Sequence, residues 1–212
     1  MSDGLVTNVS LILGVAGAHP SGSVVALVGL AGLVAGACSM AAGEFVSMQA
    51  QSELLQQELN VERHEISSRP DQELRELQHL YERRGLEPDE ARHLASAMMR
   101  DPDMALETHA REELGIDPED LGSPTQAAAS SFATFALGAV IPLIPWLVTS
   151  GSAALIASVV AGALSAMAVG AALSVFTGRP WWRSALRQLL WASAAAAITW
   201  SVGRAVGISG LS

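Results

Sequence analysis

Lysine is absent from this 212-residue chain, so its twelve arginines carry all of the permanent positive charge. Arginine and alanine used where lysine would serve point to a GC-rich bacterial coding sequence. A single cysteine, Cys38, excludes a disulfide framework. Lying in the middle of an apolar run, it reads as a small packing residue. No nucleotide-binding motif occurs, which argues against ATP-driven chemistry. No internal repeat occurs, and only the alanine runs have low complexity. Acidic residues are almost missing outside one segment, since 19 of the 21 lie between Glu53 and Asp120.

Outside that segment the apolar residues run in uninterrupted blocks: Leu5 to Ala18, Val24 to Met48, Ala127 to Val148, Ala153 to Phe176 and Ala185 to Val206. A membrane-spanning helix needs roughly 20 apolar residues, and the second to fifth blocks exceed that length. Buried helices of a large soluble bundle would show polar faces at helical spacing, and these blocks have none. The first block is shorter, with Ser2 and Asp3 at its start. It lacks the basic n-region of a cleaved signal peptide. The expected fold is therefore all-α, with five spans and a helical domain inserted between spans two and three. Its segments are 1–48 (spans one and two), 49–123 (the acidic domain) and 124–212 (spans three to five).

Arginine sets the expected topology. Eight arginines lie in the acidic segment, Arg179, Arg183 and Arg187 flank the connection between the last two spans, and Arg204 stands alone. The connections at 19–23 and 149–152 carry none. The positive-inside rule then puts the acidic domain, the Arg179 connection and the N-terminus in the cytoplasm and the C-terminus outside. The expected location is a bacterial inner membrane.

The acidic segment reads as amphipathic helices. No Gly or Pro interrupts it between Glu44 and Arg69, so the second span is expected to continue as one helix to about Ser67 and Ser68. That continuation would project about 30 Å beyond the membrane. Pro70 opens the next helix and Gly85 closes it; Pro88 opens a third, to about Arg100. Pro102 opens a fourth, stopped by Gly115 after Leu114. The linker 116–125 leads back to the membrane.

Eight arginines against nineteen acids leave this segment at −11. Such an excess is commonly a solvated face, but the spacing here is specific. Glu62 and Glu65 are three apart on one helix, and Glu73 and Glu76 three apart on the next, so each pair shares a face. Two such faces meeting in a hairpin would bring four carboxylates together, which is costly unless a cation joins them. Oxygen-rich sites suit ions such as Mn²⁺ and Fe²⁺, and an imidazole tilts the preference toward transition metals. His109 and Glu113, one turn apart, offer a nitrogen and a fifth carboxylate. His64, His79 and His93 are further candidates that more commonly occur as surface histidines.

A second group lies in the apolar part: Asp3 in span one, and Ser39, Met40 and Glu44 in span two. A carboxylate within a span is costly and marks a functional position, and beside it Met40 becomes a soft ligand for a dehydrated Fe²⁺. Gly29, Gly32, Gly36 and Gly43 line span two, and Gly32-x-x-x-Gly36 permits close helix approach and dimerisation.

Several stretches together carry a resemblance. They are Asp3-Gly4-Leu5-Val6-Thr7-Asn8, Leu13-Gly14-Val15-Ala16-Gly17-Ala18, Ser39-Met40-Ala41-Ala42-Gly43-Glu44-Phe45-Val46-Ser47 and Ile141-Pro142-Leu143-Ile144-Pro145. In order and content the whole chain resembles the vacuolar iron transporter family. The resemblance implies a homodimer of five-span subunits that moves Fe²⁺, and often Mn²⁺, out of the cytosol in exchange for protons. It places Asp3 and Met40 on the translocation path at the dimer interface, and Glu62, Glu65, Glu73, Glu76 and Glu113 in the cytoplasmic metal site. His109 stands where plant members carry a methionine. Gly32 stands where they carry a glutamate, leaving Glu44 as the acid of that span.

The expected activity is non-enzymatic. The acidic domain collects Fe²⁺ and passes it to Asp3, Met40 and Glu44 of two subunits, while protons from the far side compete for the carboxylates. Partners are divalent metal ions, protons, membrane lipid and a second copy of the chain. Neither a prosthetic group nor a nucleic acid is expected. The main alternative is a membrane-anchored di-iron protein that stores, oxidises or senses metal without moving it. For that alternative, Glu76-x-x-His79 and Glu90-x-x-His93 match the spacing of ferritin-like bundles. A third reading is a structural membrane protein whose acidic domain binds a basic partner.

Overall fold

The computed structural model describes residues 1–208, and these are helical with no strand among them. The helices are α1 (Ser2–Gly17), α2 (Gly22–Ser68), α3 (Pro70–Arg83), α4 (Pro88–Met98) and α5 (Pro102–His109). A π-helical turn (Ala110–Leu114) continues α5, and α6 (Pro124–Val148), α7 (Gly151–Thr177) and α8 (Trp181–Ile208) follow. Two compact units form: Met1–Glu44 with the chain from Thr125 onward, and Phe45–Pro124. Residues 209–212, the end of the third expected segment, lie outside the described residues.

Among the described residues, α2, α6, α7 and α8 are long and apolar enough to cross a membrane. The count of such helices is four where five spans were expected. Helix α1 is apolar but only 16 residues long, about 24 Å of rise, short of the ~30 Å hydrocarbon core. It nevertheless lies deep in the first unit, with Leu5, Val9, Ile12 and Leu13 buried.

Glycine and proline set the packing around α1. A side chain at Gly4 would strike the carbonyl of Phe135, and one at Gly138 the carbonyl of Met1, so the backbones of α1 and α6 touch there. Gly203 of α8 faces the carbonyl of Gly14 in the same way. Pro142 and Pro145 lie inside α6 and leave carbonyls one turn back without their helical donors. Two buried side chains donate into this stretch: Asn8 Nδ2 to the Ala139 carbonyl at 2.6 Å, and the Ser158 hydroxyl to the Pro142 carbonyl. These acceptors stand one residue beyond the freed carbonyls of Gly138 and Ile141, so the two side chains tie α1 and α7 to the proline-containing stretch of α6 without replacing the missing donors.

A testable consequence is that Gly203→Val drives a side chain into the backbone of α1. The expected cost is about 3 kcal/mol, read as a lower thermal midpoint of the purified full chain in detergent. Gly43→Ala, at a position where nothing lies within 4 Å, should leave the midpoint unchanged or slightly raised.

The helices of the second unit obey the punctuation in their sequence. Pro70, Pro88 and Pro102 each stand at the first helical position, and the Asp101 side chain caps α5 by accepting from the N–H groups of Asp103 (2.8 Å) and Met104 (3.3 Å). Gly85 and Gly115 take positive φ at helix ends, 99° and 68°. One apolar cluster joins Leu59 and Ile66 of α2 to Ala105, Leu106, Ala110 and Ile116. Another joins Leu77, Leu80 and Tyr81 of α3 to Ala91 and Ala95 of α4. The helix opened by Pro102 departs from expectation in its last turn, where the N–H of Gly115 reaches back five residues to the Ala110 carbonyl, the π spacing, and the N–H of Ile116 bonds the same carbonyl at 2.8 Å. Such turns are frequent at functional sites.

Candidate metal centre

Helix α2 buries a stripe of residues three and four apart: Leu59, Glu62 and Ile66. Two are apolar and one is a carboxylic acid. Helix α3 repeats the pattern with Glu73, Leu77 and Leu80. Because α2 and α3 are joined through Arg69 alone, the two acids fall on facing stripes of one hairpin. Helix α5 ends at His109, which is wholly buried beside Ala105, Leu106 and Ala110. The π turn then carries Glu113 back toward the same point.

Around the imidazole the acids converge. His109 Nδ1 lies 3.2 Å from Glu62 Oε1, 3.2 Å from Glu113 Oε2 and 3.9 Å from Glu73 Oε2. One donor atom from each of Glu62, His109 and Glu113 falls within 4.8 Å of the others, the only such group of metal-ligating side chains among the described residues. Two atoms of this group are buried without a hydrogen-bond partner, His109 Nε2 and Glu62 Oε1. The contact from Glu62 Oε1 to Nδ1 is close but off the line of a hydrogen bond. Buried polar atoms are almost always partnered, so two orphans in one cluster mark a place built for something further.

Electrostatics lead to the same conclusion. Burial pushes the Glu62 carboxyl from 4.5 up to about 7; Glu73, Glu113 and Glu65 push the same way, and His109 alone opposes them. The Glu73 carboxyl is also raised, first by burial, then by Glu76, with smaller contributions from Glu65 and Glu113 against the lowering effect of His109. These acids are held where their charged forms are disfavoured, and a divalent cation reverses that. One imidazole nitrogen among carboxylate oxygens suits Fe²⁺ or Mn²⁺ by ligand type.

The remaining candidates are distributed unequally. Glu65 is half-buried and Glu76 exposed, the latter accepting from Gln72 Nε2 at 3.1 Å. The face-sharing pairs therefore split, one member in the cluster and one at its rim, and four carboxylates do not meet as equals. His64, His79 and His93 are exposed; His79 lies 3.1 Å from Glu82, and His93 from the Asp89 carbonyl at 3.0 Å. With Glu76 and Glu90 exposed as well, the two Glu-x-x-His pairs do not face a shared core, which removes the spacing argument for a ferritin-like centre. In the first unit Asp3, Met40 and Glu44 are exposed, and no ion pair or hydrogen bond among the described residues links them. The sequence reading overlooked Arg84, which donates to the Glu112 carboxylate and to the Glu112 carbonyl, anchoring the π turn that presents Glu113. Arg84 follows the end of α3, a common position for a basic residue, so the sequence offered no signal for this role.

Similarity to known proteins extends over nearly the whole chain. A model of the VIT family matches residues 1–204. The chain is 31% identical over 207 residues to "Vacuolar iron transporter 1" of Eucalyptus grandis, covering 97% of this chain and 83% of that protein. To the protein of the same name from Arabidopsis thaliana it is 30% identical with the same coverage. A shorter match, 41% identity over 133 residues, relates 63% of the chain to half of a "Vacuolar iron transporter" from Acanthamoeba castellanii.

Proposed function

The chain belongs to the VIT family, and on that footing we propose that it moves Fe²⁺, with Mn²⁺ as a second cargo, out of the cytosol in exchange for protons. The observation that carries this reading is the convergence of Glu62, Glu73 and Glu113 on a buried imidazole with orphaned donor atoms. A solvated acidic surface has no reason to bury two carboxylates. A capture site does, because a partly dehydrated acid of raised pKa holds a metal when deprotonated and yields it to a proton. Glu65 and Glu76 at the rim add negative potential that draws cations inward.

In this proposal the protein is a multi-pass membrane protein of a bacterial inner membrane. The apolar α1 acts with α2, α6, α7 and α8 as a set of five membrane segments, and the Phe45–Pro124 unit lies in the cytoplasm. That orientation rests on the arginines of the acidic segment and on Arg179, Arg183 and Arg187. The protein functions as a homodimer. Asp3, Met40 and Glu44 are exposed on the surface of a single chain, as expected of a path completed by a second copy, where two sets of ligands face one another.

Flux measured in proteoliposomes tests the reading. With Fe²⁺ or Mn²⁺ outside and an imposed pH gradient, uptake should follow the gradient, and Asp3→Asn should reduce it to the level of empty vesicles. Normal transport by Asp3→Asn would rule out the proposed path. Metal binding with no flux in the wild type would favour storage or sensing.

A further inference from the structure

Where α7 gives way to α8, positive charge gathers without counter-charge. Arg179, with Arg183 and Arg187 one turn apart on α8, lines a cavity of about 330 Å³ together with Pro180 and Ser184. All three arginines are exposed, and among the described residues none has an ion-pair partner. The chain contains no acidic residue after Asp120. Like charges one helical turn apart repel, and α8 begins at Trp181, which adds the positive end of its dipole. Ser184, 3% exposed, packs beneath the arginines as part of the cavity wall. Three guanidinium groups beside one cavity are suited to hold a phosphate.

The surroundings identify which phosphate. A second cavity, of about 570 Å³, shares Arg183 and Arg187 and runs on along Trp182, Leu186, Leu190 and Trp191. Its apolar residues are exposed, Trp191 at 72%. The Arg183 guanidinium lies 5.1 Å from the centroid of the Trp182 ring, a cation–π contact that holds the charge at the boundary of the two cavities. Tryptophan and arginine at the end of an apolar helix are interfacial anchors. A cationic head pocket continuous with an apolar groove has the form of an amphiphile. We propose that this is a binding site for an anionic phospholipid, its phosphate held by Arg179, Arg183 and Arg187 and an acyl chain lying against Trp182, Leu186 and Leu190. Inorganic phosphate shares the head chemistry but has no use for the groove.

The test uses the purified full chain in uncharged detergent and reads tryptophan fluorescence during titration with phosphatidylglycerol carrying brominated acyl chains, which quench nearby indoles. Saturable quenching is expected at a lipid concentration about tenfold below that needed with brominated phosphatidylcholine. R183Q/R187Q should erase the difference between the two lipids. R204Q, which removes the arginine over Trp200, should preserve it. Equal quenching by both lipids in the wild type, or a preference that survives R183Q/R187Q, would overturn the proposal. Complete displacement of the brominated lipid by millimolar inorganic phosphate would also overturn it, in favour of a simple phosphate site. Should R183Q/R187Q fail to give monodisperse protein, R187Q alone provides the decisive comparison. Loss of one guanidinium should weaken phosphatidylglycerol binding several-fold and leave phosphatidylcholine unaffected, and unchanged binding would refute the site.

Discussion

His109→Ala is expected to abolish metal capture, weakening Mn²⁺ or Fe²⁺ binding to the full chain by at least about a hundredfold, as read by calorimetric titration. The size of the effect follows from where the imidazole lies. It is wholly buried, it is the nitrogen donor of the cluster, and it is the one group that lowers the pKa of Glu62 and Glu73. Its removal takes away a ligand and also leaves the two buried acids facing each other with no opposing influence. Their protons are then held more tightly, and a metal ion has to displace them. Two losses therefore combine in one substitution. Alanine at the exposed His64, His79 or His93 should change affinity by less than about twofold, because none of them reaches the cluster. His109→Met offers a finer comparison. A thioether fills similar space with a softer donor, so Fe²⁺ binding should be kept better than Mn²⁺ binding. If His109→Ala binds as tightly as the wild type, the buried cluster is not the capture site, whatever the flux measurement shows.

How much of this could be read from the sequence depended on how local each signal was. Helix starts at Pro70, Pro88 and Pro102 and stops at Gly85 and Gly115 are properties of single residues, and all five lie where expected. The run of α2 through to Ser68 followed from the absence of any breaker. The site was legible as a set of residue types but not as a ranking. Spacing of three treats Glu62 and Glu65 as equals, as it does Glu73 and Glu76. What separates them is the apolar stripe, Leu59–Glu62–Ile66 on α2 and Glu73–Leu77–Leu80 on α3, a pattern visible in the sequence once acids at core spacing are sought. The π turn has no such signature. It differs from an α-turn in that the Gly115 N–H bonds a carbonyl five residues back in place of four, and contacts distant in sequence, such as that of Arg84 just past the end of α3, bear on that choice. The start of the last helix is another case. The apolar block begins at Ala185 in the sequence, but the N–H groups of Arg183 and Ser184 already bond the Pro180 carbonyl, so α8 starts at Trp181 and Arg183 and Arg187 become neighbours on a helical face.

The second large effect is a reversal of pH dependence on metal binding. In metal-free protein the Glu62 carboxyl is raised from 4.5 to about 7 by burial and by Glu73, Glu113 and Glu65, with His109 in opposition; Glu73 is raised as well, with Glu76 facing it. Between these values the folded state binds more protons than the unfolded chain, so stability falls as pH rises. The favourable contribution is fully present below 4.5 and is lost as pH climbs through about 7. A rise of this size would amount to roughly 3 kcal/mol for a fully screened-off group, and solvent at the rim of the site reduces it to about 2 kcal/mol. Bound metal requires deprotonated ligands, so its affinity falls about tenfold per pH unit for each proton it must displace below that range. Relative to the intrinsic exchange rate at each pH, protection of the 70–114 segment in the full chain should therefore be greater at pH 5 than at pH 8 without metal, and with Mn²⁺ greater at pH 8 than at pH 5. Glu62→Gln tests the origin of both slopes. It removes the buried charge while keeping shape, so the metal-free protein should gain protection at pH 8 and lose most of its pH dependence, while Mn²⁺ protection disappears. A variant that lost protection at pH 8 without metal would show that the Glu62 carboxylate stabilises the fold, and the raised acid could not be the proton-sensitive element of capture.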